Sequence, residues 1–112
     1  MCIRDRLVLE RADVLGSGFA VRLYRIATHG EGATDTRALD ALAPGNHRAA
    51  DKTLVLDFAQ IGLKTVDNLE GMTWGPRLAS GERVLILVSD NNFNPAEVTQ
   101  FVALAEAPTC RR

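Results

Sequence analysis

Cysteine is almost absent from this chain, and the two that occur stand at opposite ends. Cys2 and Cys110 form no CxxC pair and no zinc-ligand spacing, so neither a disulfide framework nor a structural zinc site is expected. An excess of one charge sign is missing too. Thirteen Lys and Arg nearly balance fourteen Asp and Glu, for a net charge of -1. That balance exerts no pull on nucleic acid or an anionic membrane surface. Aromatic residues are scarce, with one Trp, one Tyr and four Phe, and they do not alternate with basic residues as a nucleic-acid face would. No apolar run approaches the roughly 18–20 residues that span a bilayer; VLILV at 84–88 is the strongest. The opening MCIRDR is charged and has no apolar signal segment.

Several catalytic signatures are also missing. Gly16-Ser17-Gly18 lacks the spacing of a GxSxG nucleophile elbow. No Gly-rich loop suited to cradling phosphate appears. His29 and His47 lie in a polar loop, where solvated histidines are the default.

What is present is the composition of an ordered globular chain: 112 residues, 46% hydrophobic and 24% charged, enough for one domain at most. Hydrophobic patterning and β-rich composition predict strands at 7–10, 19–27, 53–59, 70–74 and 84–88. In 53–59, Leu54, Leu56 and Phe58 fall on one face. Gly75-Pro76 is expected to end the strand at 70–74. Residues 84–88 are apolar on both faces, as in a central strand. Turn formers fill 11–18. Residues 29–52 read as a long loop, in which TRALDALA at 36–43 could form two helical turns, with Asp35 as cap and Pro44 as stop. Residues 98–106 carry two signals. Asn94-Pro95-Ala96-Glu97 looks like a helix start, whereas Thr99, Phe101 and Val102 suit a strand. Glu10 and Arg11 suggest a local ion pair.

One echo stands out. LVLE, a turn and AVRLYRIA resemble VLILVSD, a turn and VTQFVALAE, as successive blades of a propeller would. The stretch DNLEGMTWGP at 67–76, followed by LILVSDNNF at 85–93, resembles the C-terminal part of the phytase-like family, whose label is esterase-like activity of phytase. LVLER and VRLY match the preceding part of that family in order, so the likeness spans about residues 7–106.

The resemblance implies an all-β fold. It would be a partial β-propeller of about one and a half blades of antiparallel strands, with one long loop that could hold a short helix. It also favours strand over helix at 98–106. It implies an exported, periplasmic or secreted hydrolase acting on a small ester or phosphoester, with missing N-terminal blades contributed by the same protein. MCIRDR resembles translated adapter sequence, so residues 1–6 read as a non-native leader, 7–106 as a C-terminal fragment inactive alone, and 107–112 as a tail. No Arg-His-Gly cluster of a histidine acid phosphatase accompanies the family's label. A non-enzymatic binding propeller and a calcium-dependent lactonase-like propeller are the alternatives.

The candidate chemistry lies at the ends of the apolar hairpin. Glu70 begins one strand and Asp90 ends its antiparallel partner, so both fall at one rim. Glu70 is the candidate catalytic carboxylate, a base for bound water. Glu70, Asp90 and Asn91 are the candidate ligands of a hard cation such as Ca2+, which prefers several oxygens. Asp67, Asn68 and Asn92 fill out the cluster, although Asp and Asn are also what tight turns use. Trp74 and Phe93 are expected to pack within the blades.

Overall fold

The computed structural model describes residues 5–28 and 33–106, and its regular structure is almost entirely strand. Strands β1 (Asp5–Val14), β2 (Gly18–Ala27) and β3 (Lys52–Asp57) form one antiparallel sheet in the order β1-β2-β3. Strands β4 (Leu69–Arg77), β5 (Arg83–Ser89) and β6 (Phe101–Glu106) form a second in the order β4-β5-β6. The all-β expectation therefore holds, and two successive three-stranded units account for the echo between them.

The ambiguous last segment pairs with β5 from Arg83↔Glu106 to Val88↔Phe101. The helix-start chemistry is nevertheless present. Asn94 Oδ1 accepts the Ala96 N–H at 3.0 Å, and the Glu97 N–H reaches Asn94 O at 3.0 Å. It closes a turn and goes no further. From Phe101 onward the chain gains a full ladder against β5 and buries Val102, which a helix at this place would forgo.

The helix expected at 36–43 shrinks to a single 3-10 turn, Thr36–Ala38. Asp35 caps it as expected, accepting the Arg37 N–H at 3.1 Å. No residue of the turn is buried. A short helix without a face to bury is marginal in water, so propensity alone does not carry it.

Two strands outrun their predicted ends. β1 continues through Val14, and the turn is confined to the following residues, with Gly16 and Gly18 both at positive φ. β4 runs through Gly75-Pro76 to Arg77, because an irregularity between Trp74 and Arg77 absorbs the proline on an edge strand. A register shift also changes one face assignment. Leu23 pairs with Leu56 and Tyr24 with Leu54, leaving Val55 as the extra residue of a bulge. Leu54 and Leu56 consequently lie on opposite faces, and Leu54 is half exposed while Leu56 packs against the core. Phe58, fully buried, follows in a 3-10 turn capped by Asp57.

The core lies between the sheets. Val21 and Leu23 of β2 with Phe58 meet Leu69, Leu85, Leu87 and Val102 of the second sheet. β5 is the central strand and has no fully exposed residue, with Leu85, Leu87 and Ser89 buried in alternation. No helix among the described residues is long and apolar enough to cross a membrane.

Candidate functional site

The β4–β5 hairpin brings its two polar ends together through one backbone bond and one side-chain bond. The Asp90 N–H donates to Asn68 O at 3.2 Å, and Asn68 Nδ2 donates to Asp90 O at 3.4 Å. Leu69 pairs with Ser89 in the first rung of the ladder. Glu70 follows as the extra residue of a bulge, since Leu69 pairs with Ser89 and Gly71 with Val88. The bulge keeps Leu69 on the core side while Glu70 stays exposed.

Each polar residue of the cluster then has its own partner. Asp67, only 5% exposed, accepts the Asn68 N–H at 2.7 Å on Oδ1 and the Val98 N–H at 2.9 Å on Oδ2. It thus ties the segment before β4 to the segment before β6. Asn68 is buried, and its Oδ1 has no protein partner among the described residues. Asp90 Oδ1 accepts the Asn92 N–H at 3.1 Å, and Asn91 Oδ1 accepts the Phe93 N–H at 3.2 Å. These are successive Asx turns. They carry the chain through Asn92 and Phe93, both at positive φ. Asn92 Nδ2 and Asn94 Nδ2 then reach the two oxygens of Glu97 at 2.9 and 2.8 Å.

Glu70 turns away from these amides to another sheet. Arg11 Nη2 of β1 donates to Glu70 Oε1 at 2.5 Å, with both side chains more than a third exposed. Glu10 and Arg11 accordingly do not pair with each other. Neighbours on a strand point to opposite faces, so Arg11 meets Glu70 across the sheet gap and Glu10 meets Lys52 Nζ at 2.5 Å. Lys52 also lies 4.4 Å from the centre of the Tyr24 ring.

Among the described residues, no group of three or more His, Cys, Asp or Glu side chains is gathered closely enough to hold a metal ion. The carboxylate and amide oxygens of Asp90 and Asn91 serve their own turn, and Glu70 serves Arg11. His47 is exposed, with Nδ1 beside Ala43 O and Asn46 Oδ1. His29, Cys2 and Cys110 lie outside the described residues.

Ser89 and the partnership of Arg11 with Glu70 escaped the sequence reading. Ser89 is 2% exposed; its Oγ donates to Val98 O and accepts the Gln100 N–H, both at 2.7 Å. Its parity with Leu85 and Leu87 was the available signal. Arg11 as the partner of Glu70 had none, because the two are 59 positions apart. Trp74 stacks on Arg83, the guanidinium carbon 4.0 Å from the ring centre, and stays 43% exposed. Phe93 does not pack within a blade at all: it is fully exposed at the tip of the Asx turns.

This end of the hairpin therefore presents one solvent-reachable carboxylate beside one guanidinium, next to the hydrogen-bonded Asp67, Asn68 and Asp90. A carboxylate there can take a proton from water, and a guanidinium can receive negative charge developing on an ester or phosphoester oxygen. No curated protein and no solved structure matches the chain. The pattern of one family, described as esterase-like activity of phytase, matches residues 3–93, and the chain belongs to that phytase-like family.

Proposed function

We propose that this chain supplies part of the site of a β-propeller hydrolase that cleaves a small ester or phosphoester, with Glu70 as the candidate base and Arg11 beside it. The family match is the observation that carries this reading. The Arg11–Glu70 pair supports it, because a strand-borne carboxylate and guanidinium face solvent at the same end as the Asp67–Asn68–Asp90 network. In this reading further blades of the same polypeptide complete the pore and the rest of the site, and the protein works outside the cytoplasm.

The test is an assay of the polypeptide encoded by the whole reading frame that contains these residues, against p-nitrophenyl esters and p-nitrophenyl phosphate. Turnover is expected, and Glu70→Gln is expected to lower kcat by at least about a hundredfold, the scale of a lost general base, with circular dichroism unchanged. Glu10→Gln, which touches only the Lys52 pair, should leave kcat as it was. Full activity in a folded Glu70→Gln variant removes Glu70 from the chemistry. Binding without turnover identifies a binding module instead, and lactone turnover that appears only on calcium titration identifies a metal-dependent lactonase.

A further inference from the structure

The molecule has two unlike ends. At one of them Arg11 of β1 meets Glu70 at the start of β4. At the other, Leu7 near the start of β1 and Trp74 further along β4 share a cleft of about 350 Å³ between the sheets. β5 returns to the Glu70 end, where Leu69 pairs with Ser89, and Phe93 lies just beyond it. The turn that carries Phe93 and the cleft therefore stand at opposite ends.

Phe93 is fully exposed at φ 55, in the left-handed region that a side chain disfavours. Strain of this kind, with no contact inside the chain to offset it, points to a contact outside. Asp90 and Glu97 flank the ring in sequence, and no Lys, Arg or His occurs from Ser89 to Glu106. The turn is an apolar tip set in negative charge.

The cleft has the complementary character. Its walls are Leu7, Leu23 and Leu56 opposite Trp74, Leu85 and Leu104. At the roughly 30 Å³ that one water molecule occupies in the liquid, it holds about a dozen non-hydrogen atoms, more than a benzyl group has. At its mouth Glu106 Oε1 accepts from Arg25 at 3.3 Å and Oε2 accepts from Arg83 at 2.5 Å, which bridges the sheets. Arg77 pairs in register with Arg83 and donates to a neutral acceptor, Gly81 O, at 2.8 Å. Arg25, Arg77 and Arg83 are thus set against the carboxylates of Glu82 and Glu106, an excess of positive charge.

We infer that Phe93 of one copy of this chain inserts into the cleft of a second copy, with Asp90 and Glu97 beside the arginines of its mouth. The ring meets an apolar wall in which Trp74 offers an aromatic partner, and charges of opposite sign surround it on the two copies. Tip and cleft are different surfaces, so the contact is heterologous: each copy gives one ring and accepts another, and the assembly grows as an open row. One ring and two carboxylates cover less than the roughly 1,200 Å² of a standard interface, so the association is transient and rises with concentration. The inference does not rest on the hydrolase reading.

Trp74 is the chain's one tryptophan, so its indole N–H reports on the cleft as a single signal in a nitrogen-correlated NMR spectrum. A labelled 112-residue chain carrying Phe93→Gly keeps the cleft and loses the ring. It would be titrated separately with unlabelled wild-type, Phe93→Gly and Leu15→Ser chains. Leu15, equally exposed on the β1–β2 turn, controls for unspecific apolar contact. Wild-type and Leu15→Ser chains are expected to move the indole signal to saturation with equal affinity, and Phe93→Gly to bind at least tenfold more weakly, as for a lost anchor residue. High salt should weaken the wild-type titration severalfold. An indole signal that the wild-type chain does not move overturns the inference. So does equal binding by the Phe93→Gly titrant, a loss with Leu15→Ser as large as that with Phe93→Gly, or binding that salt leaves unchanged. If Phe93→Gly fails to fold, dilution of the labelled wild-type chain decides: its indole signal must move with concentration and return with salt, and failure of either overturns the inference.

Discussion

Asp67 commits both carboxylate oxygens to backbone N–H groups while nearly buried. Removing it leaves the Asn68 and Val98 donors without their partner, and a buried donor left unmade costs about 1–3 kcal/mol. Asp67→Ala is expected to destabilise the chain by at least that amount in urea unfolding, and to expose the Val98 amide to faster hydrogen exchange. Phe93 is the opposite case. It is fully exposed and held at φ 55, so its ring gains nothing from the fold and its Cβ is strained. Phe93→Gly should raise stability by about 0.5–1 kcal/mol, the αL cost removed less the entropy glycine adds, readable as an increase in Tm.

Asp35 is a pH probe at the same scale. The Arg37 side chain, and then its backbone N–H, hold the Asp35 carboxyl down at about 2. Because the folded value lies below the unfolded one, the capping interaction is complete above the ordinary carboxylate range and fades as pH falls toward about 2. NMR titration of the Asp35 carboxyl should give that midpoint, and Arg37→Leu should move it up toward the ordinary value. Asp57 is lowered in the same direction by Arg22 and the Ala59 N–H, so its cap on the turn at Phe58 also weakens in acid.

Among the elements, β4 shows why a strand near the rim carries glycine twice. A Cβ on Gly71 would stand 2.9 Å from Val88 Cγ1, and one on Gly75 would stand 2.9 Å from Ile86 Cδ1. β5 therefore leans over β4 on the face away from the core. The two contacts are not equivalent, since a valine methyl on a β-branched carbon has little freedom whereas the end of an isoleucine can swing away. Gly71→Ala is expected to cost about 1–3 kcal/mol, more than Gly75→Ala. Val88→Ala should recover part of the loss in the double variant, measured by a thermal double-mutant cycle. The unbroken apolar run at 84–88 made β5 legible, and the capping chemistry of Asn94 was legible too. The bulges at Glu70 and Val55 were not. The first keeps Leu69 on the core side and the second keeps Leu56 there while turning Leu54 outward, and a single strand read alone does not contain its partner's register.

At the scale of the whole molecule, seven buried apolar residues among the described residues lie between two small sheets, and Leu87 is 0% exposed among them. Leu87→Ala should cost about 2–5 kcal/mol by the transfer and cavity terms together, read from the urea midpoint. The cross-sheet pairs contribute less. Arg11–Glu70 is substantially exposed, and such pairs are worth about 0–1 kcal/mol. Its significance is positional: it places one carboxylate and one guanidinium on separate sheets within 2.5 Å of each other.

The sequence by itself determined the strand-rich class, the central place of 84–88 and the family. All of these are written in the local apolar pattern or in a contiguous motif. Only the tertiary structure decided that Glu70 answers Arg11, that Asp67 ties two distant segments together, that the cluster's amides face their own turns, and that an apolar cleft opens beneath the Glu106 bridge. Those facts join residues tens of positions apart, and their partners are fixed by sheet packing and register, which no local pattern encodes.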